Sequence, residues 1–398
     1  MVRLYILFAS IYLLEGITEV PFILNVYLNE ALSLQPAQIG QILFLGGLWF
    51  VFLKPLIGFI ADFWTRFNRR WVMIFGLLCS FTGWLVIADA ETVAMMTLGV
   101  SLKIIAIACL DVLIDGMIVI VSNAKNRSFI QSLVYGCRFG AYMLCSIFAG
   151  PQIDKGIEAS IQIFYLFSLA SLLLLIPVLL YRGKDLQQSE SEKRKKEDNV
   201  RDTESRNEIS FKQKLGQLAN PAFGWLLLLF FLYTFGVDTS TYFDPILKER
   251  FSGAFLGKLN VCSSAGILVG IFLFPVFRTR LSVKTLFIIS LIGWSVVEIS
   301  CLGINELNGV LIYFFGGLVN AFMSIALLTV AVAMCKIKGI ETFAFAFAIS
   351  VKNLMGLSNV LFGGYVMGWV GITWLFIISS LCGLLPFLVL HKIDFRDV

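Results

Sequence analysis

Long apolar stretches, each closed by a few charged or turn-forming residues, follow one another along this chain from its first residues to its last. A helix needs about 20 mostly apolar residues to cross a bilayer. Cutting the chain at its polar and turn signals leaves twelve such stretches, at 4–28, 37–61, 71–90, 92–121, 129–151, 160–181, 222–246, 255–277, 284–303, 309–335, 342–366 and 370–391. Inside lipid no water satisfies a bare peptide group, so segments of this kind span as helices. The expected fold is an all-α polytopic membrane protein with twelve transmembrane helices.

Composition agrees. Residues of the apolar set make up 58% of the chain and charged residues 14%, against about 25% charged in an ordinary soluble domain. That is too little charge to clothe a soluble enzyme or a secreted scaffold. The net charge of +5 comes from short basic clusters between apolar stretches, the pattern that orients membrane proteins, so no nucleic-acid partner is expected. The eight cysteines lie inside apolar stretches with no Cys-x-x-Cys pair, which indicates neither a metal site nor a disulfide framework. No metal or cofactor is expected. The run after Arg3 contains Glu15 and lacks a small-residue cleavage pattern, so it reads as the first span rather than a signal peptide.

Lysine and arginine set the orientation. With both termini cytoplasmic, the inner side holds Arg3, Arg66, Arg69, Arg70, Lys125, Arg127, the basic residues of 182–214, Arg278, Arg280, Lys284, Lys336, Lys338, Lys392 and Arg396. The outer side holds Lys155, Lys248, Arg250 and Lys258. This bias predicts a multi-pass protein of a plasma or inner membrane with both ends inside. The polar segment after Arg182, with its Lys193-Arg194-Lys195-Lys196 run, divides the apolar stretches equally. The expected organisation is a six-helix bundle at 1–182, a charged cytoplasmic linker at 183–219 and a second six-helix bundle at 220–398. Two complete halves in one chain make a monomer sufficient, with the lipid bilayer as its surroundings.

The join between the second and third stretches reads Lys54-Pro55, then Gly58, Asp62, Arg66, Asn68, Arg69 and Arg70. Gly58 admits a close neighbour, Asp62 ends a helix, and the arginines offer forked donors to carboxylates and helix ends. Such a cluster can latch two helices in one conformation and release them in another. Asn68 tolerates left-handed backbone better than most residues, which suits the turn. Asp111 and Asp115 lie four residues apart on the fourth stretch, hence on one face, with Lys103 nearby. Ionisable groups within a span are expensive and point to function. The fifth stretch then carries Gln131-Ser132, Tyr135-Gly136, Arg138 and Gly140.

The Gly-x-x-x-Asp…Arg-Arg join resembles that of the major facilitator superfamily of transporters. The succession Lys-Pro-x-x-Gly-x-x-x-Asp, Asp-Val-x-x-Asp-Gly and Gln-Ser-x-x-Tyr-Gly-x-Arg, over about residues 40–150, is similar to the folate–biopterin transporter family. More distantly it is similar to muropeptide permeases and acetyl-coenzyme A transporters. The resemblance implies two six-helix halves and a secondary transporter of a folate- or pteridine-like solute. Helices 1, 4, 5, 7, 10 and 11 of such transporters commonly line the path. The remaining membrane charges fall on most of these: Glu15 and Glu19 on one face of helix 1, Arg138 in helix 5, Asp238 with Tyr242 in helix 7, and Lys352 in helix 11. Lys54 and Glu298 lie on helices 2 and 9 and read as structural.

Arg138, Lys103, Lys352, Asp111 and Tyr242 are therefore the candidate contacts for a small anionic solute. Carboxylates are costly as buried anions, so Glu15, Glu19, Asp111, Asp115 and Asp238 are candidates to carry a coupling proton. Gly58, Asp62, Arg66, Arg69 and Arg70 would form the cytoplasmic gate. Paired glycines, Gly46-Gly47, Gly316-Gly317 and Gly363-Gly364, suit close helix contacts. None of the hydrolase, zinc-peptidase or nucleotide-loop motifs is present, and the single histidine is His391, so no enzyme is expected. The alternatives left open are a permease for a muropeptide or nucleotide-linked compound, and a non-transporting receptor or assembly factor with the same fold.

Overall fold

The computed structural model describes residues 2–18, 21–63, 68–121, 127–181, 216, 220–335 and 341–393. The expected linker at 183–219 lies outside these apart from Gly216. The described residues form α-helices and two short 3-10 turns, with no strand among them. In chain order the helices are α1 (Val2–Thr18), α2 (Pro21–Ala31), α3 (Pro36–Phe63), α4 (Arg69–Ala88), α5 (Val93–Val121), α6 (Arg127–Ile153), α7 (Ile157–Leu173) and α8 (Leu175–Leu180). After the linker come α9 (Pro221–Thr234), α10 (Ser240–Arg250), α11 (Gly253–Arg278), α12 (Val283–Ser300), α13 (Gly309–Met334) and α14 (Glu341–Cys382).

Ten of these segments are long and apolar enough to cross a membrane. One, Phe343–Leu388, is 46 residues long and divides at Gly371, where φ is 77° and ψ −179°. The broken pair α9–α10 supplies the remaining crossing, which gives the twelve expected spans. Only glycine adopts the backbone of Gly371 without strain. Gly371→Ala is expected to cost about 1–3 kcal/mol, read as a lowered melting temperature in detergent.

Helix starts follow local chemistry. Asn220, Ser252 and Ser282 accept backbone N–H groups two or three residues ahead, from Ala222 (3.0 Å), Phe255 (3.0 Å) and Thr285 (3.1 Å), supplying partners that a helix N-terminus lacks. Asn68 does the same for Arg70 N–H at 3.1 Å. Its backbone is extended, φ −94° and ψ 93°, so it serves as a cap and not as the left-handed turn residue expected. Two spans expected to be continuous are interrupted. Span 6 bends at Leu174, between α7 and α8, because Pro177 has no N–H and its ring crowds the carbonyl of Leu173. Span 7 is interrupted over 235–239.

Apolar side chains cover the outside, among them Trp369 (80% exposed) and Leu144 (71%), as a lipid-facing surface requires. Helices meet through small residues. A Cβ on Gly317 of α13 would lie 1.9 Å from the Ser263 carbonyl oxygen of α11, and one on Gly266 of α11 would lie 2.0 Å from that of Phe314. Gly46, Gly47, Gly316, Gly363 and Gly364 also sit against neighbouring helices, as the paired glycines suggested.

Among the described residues, the buried apolar side chains form three groups. One, at the end holding Glu30, Asp154 and Lys248, draws on both the first six spans and the last six: Phe22, Leu28, Trp84 and Phe164 join Phe243, Leu247, Leu256 and Phe376. At the opposite end, which bears Arg69, Arg70 and Arg278, each set of six keeps its own. Leu4, Met73, Leu113 and Ile130 belong to the first group, and Phe223, Phe287, Leu327 and Ala344 to the second.

Candidate functional site

Two polar regions lie within the membrane-spanning part. The first is built by α1, α3, α5 and α6. Lys54 of α3 forms an ion pair with Asp111 of α5 and lies over the Phe50 ring, 3.9 Å from its centroid. Arg138 of α6 reaches Glu15 of α1, Nη1 to Oε2 at 3.5 Å. One turn beyond Asp111, Asp115 accepts a 2.6 Å hydrogen bond from the Tyr12 hydroxyl. The structure thus brings together Glu15, Asp111, Asp115 and Arg138, with Lys54 as their unexpected partner. Removing one member of a buried ion pair strands the other charge at a cost of about 3–5 kcal/mol. Lys54→Met is therefore expected to lower thermal stability by that amount, and Lys54→Met with Asp111→Asn to recover most of it, measured by thermal unfolding in detergent.

The second region is a cavity of about 560 Å³ in the last six spans, with Tyr142 of α6 on its wall. Its backbone frame is the break in span 7. A break leaves N–H and C=O groups without helical partners, and each needs one when buried. Asn359 of α14 supplies several: its Oδ1 accepts Gly236 N–H at 3.0 Å, its Nδ2 donates to the Thr234 carbonyl, and its own carbonyl accepts Asp238 N–H at 3.0 Å. Asp238 then ties down the start of α10, accepting from Thr241 N–H (2.9 Å) and the Ser240 hydroxyl (3.0 Å). Asp238, Thr239, Asn260, Glu298 and Lys352 all line the cavity. Lys352 stands over the Tyr233 ring at 5.8 Å and is within electrostatic reach of Lys54 and Arg138, which are not themselves on the cavity wall.

Other expected contacts lie elsewhere. Tyr242 is buried, donates to the Val360 carbonyl at 2.5 Å and touches Gly40 and Gly364, which makes it a wedge between α3, α10 and α14 outside the cavity wall. Its expected shared face with Asp238 assumed an unbroken helix, and the break removes that register. Lys103 faces the Trp84 ring, 4.7 Å from its centroid, on the α4 side of α5. Glu19, Arg66 and the side chain of Asp62 lie outside the described residues, and Gly58 is buried in α3. Arg70 donates from Nη2 to the carbonyl of Leu179 at 2.8 Å, in the last turn of α8, the kind of helix-end contact expected of these arginines; Arg69 is half-buried beside it. Glu298, which reads as structural in the sequence, is on the cavity wall.

Hydrogen bonds join the two sets of spans from mid-depth to the end bearing Glu30. Tyr142 donates to Asn260 (2.8 Å), Gln41 to Tyr365 (3.0 Å) and Asn25 to Asp244 (2.9 Å), and Lys248 pairs with Glu30. Asp154 also accepts the first N–H groups of α11, from Gly253 (2.6 Å) and Ala254 (3.0 Å). At the other end Phe59 and Phe343 meet edge to face at 6.1 Å.

The family model described as Major Facilitator Superfamily matches residues 4–279. A folate-biopterin transporter of Synechocystis sp. is 26% identical over 421 residues, spanning 95% of this chain and 79% of that protein. Among solved structures, a D-xylose-proton symporter superposes with a TM-score of 0.75 at 13% identity, covering 99% of this chain and 98% of that one. The xylose transporter of E. coli in an inward-open conformation gives 0.73 at 16% identity, with 98% and 95% covered. A nucleoside transporter gives 0.68 at 16% identity, with 98% and 97% covered.

Proposed function

Because the chain belongs to the Major Facilitator Superfamily, we propose that it is a secondary active transporter that moves a small anionic organic solute of the folate or pteridine class by alternating access, with a proton as coupling ion. The observation that carries this reading is Lys352 of span 11 on the wall of a mid-membrane cavity, with Arg138 of span 5 one turn from Tyr142 of the same wall and within electrostatic reach of Lys352. A carboxylate-bearing solute meets a fork on one side and an ammonium on the other, and the rings of Tyr142, Tyr233 and Trp294 on the wall suit a planar heterocycle. The name of the cyanobacterial relative supports the same class. Residues 1–182 and 220–398 would move against each other, joined by 183–219, with both termini cytoplasmic as the basic ends favour. In that orientation the hydrogen-bonded end is the outer one, and the conformation faces inward.

The test is uptake of labelled folate into proteoliposomes with and without an inward proton gradient. Saturable uptake that grows with the gradient is expected. Folded protein that carries no folate in either direction would overturn the solute class.

A further inference from the structure

Among the described residues, the interior carboxylates other than Glu298 have a nearby cation or a short hydrogen bond. Glu15 has Arg138, Asp111 has Lys54, Asp115 has the Tyr12 hydroxyl, Asp244 has Asn25, and both oxygens of Asp238 accept hydrogen bonds. Glu298 of α12 is 6% exposed. Its Oε1 accepts a long 3.3 Å bond from the Thr239 hydroxyl, in the break of span 7. Its Oε2 is buried, and the Ser379 hydroxyl of span 12 is the other hydrogen-bonding neighbour of the carboxyl. No lysine or arginine pairs with it among the described residues.

The groups around it add no positive charge. Span 7 presents Asp238 and Thr239, and span 12 presents Ser379. Cys301 follows at the end of α12, and Tyr313 faces it from α13. Lys352 of span 11 shares the cavity wall without forming an ion pair with Glu298. An unpaired buried carboxylate anion costs several kcal/mol, and a protonated one does not bear that cost.

We propose that Glu298 is a proton-binding site of the last six spans, holding a proton in this conformation and releasing it to the cavity when the break in span 7 rearranges. In the release step the carboxylic O–H bond breaks, the proton passes to water in the cavity, and the carboxylate left behind takes Thr239 as donor. The site is separate from the Glu15–Arg138 and Lys54–Asp111 pairs, whose carboxylates already have cations. Its use in transport rests on the proposed function; its protonation does not.

Infrared difference spectroscopy of the full chain, reconstituted and titrated with pH, decides the protonation. A carboxylic-acid C=O band at neutral pH that disappears in Glu298→Gln and persists in Asp238→Asn is expected. A band that survives Glu298→Gln, or that sodium at constant pH abolishes, would overturn the proposal. Thr239→Val leaves the carboxyl in place, so if Glu298→Gln fails to fold this variant decides: a shifted band supports the site and an unshifted one overturns it. In folate uptake, Glu298→Gln is expected to lose accumulation above equilibrium under a proton gradient. Accumulation unchanged from wild type would overturn the coupling role. Wild type that carries no folate would remove the solute class and leave the band to decide the proton site.

Discussion

Arg138→Ala should cut gradient-driven folate uptake by at least about thirtyfold, with the protein still eluting as a single folded species in detergent. Coupling energies of close charge pairs run to about 1.5–7 kcal/mol, and about 2 kcal/mol is already about thirtyfold in rate. The guanidinium is placed for such a role, because its side chain keeps 30% exposure while Glu15, which holds it, keeps 2%. A purely neutralising role makes a different prediction. If Arg138 served only to balance Glu15, then Arg138→Gln combined with Glu15→Gln would transport as wild type does. The expected result is that the double variant remains impaired and that Arg138→Lys recovers only part of the rate, since an ammonium keeps the charge and loses the fork.

Gly317→Ala is expected to abolish folded protein, measured as loss of the monodisperse peak in size-exclusion chromatography. The added methyl would sit 1.9 Å from the Ser263 carbonyl oxygen, and a second backbone contact at Gly266 lies beside it. Overpacking by a side chain against side chains costs about 1–3 kcal/mol. Here backbone meets backbone, so no rotamer change relieves the clash and α11 and α13 must separate. The matched control is Gly224→Ala in α9, where a Cβ meets nothing within 4 Å. That change should be neutral or slightly stabilising, by about 0.5–1 kcal/mol from helix propensity. Equal loss of folded protein in both variants would show that the α11–α13 crossing is not the cause.

The number of spans and most of their ends were legible because they rest on local chemistry. Charges and caps such as Asn220, Ser252 and Ser282 stop or start helices without reference to the rest of the fold. The glycine pairs could be read for the same reason, since close helix approach leaves no room for a side chain. The break in span 7 has Gly236 and Asp238 as its local signals. What makes it tolerable is Asn359, more than a hundred residues away, which supplies the missing hydrogen-bond partners. The place of Glu298 on the cavity wall depends on how α12 packs against the break in span 7, which the position of its span in the chain does not encode. A lone carboxylate in an apolar stretch was itself the signal. Lys54 likewise sits on a span outside the expected path, and its partner Asp111 lies two helices further on. Of the expected cavity contacts, Lys352 lies on the wall and Arg138 one turn from Tyr142, while Tyr242 and Lys103 are engaged elsewhere because contact across helices depends on packing that spacing along one helix does not encode.

The uneven division of the apolar interior has an energetic consequence. One end shares a single core between the two sets of six spans, and the other end keeps two cores apart. If the two sets of spans rock against each other as proposed, interface is uncovered at the shared end while interface forms at the divided end. Buried area would then be exchanged rather than lost, and the two states would differ by little in free energy. Near such a balance a bound solute needs only a modest preference for one state to redistribute the population. Tight binding would bring no advantage, and the symmetry of that exchange would let the same protein run in either direction according to which gradient is steeper.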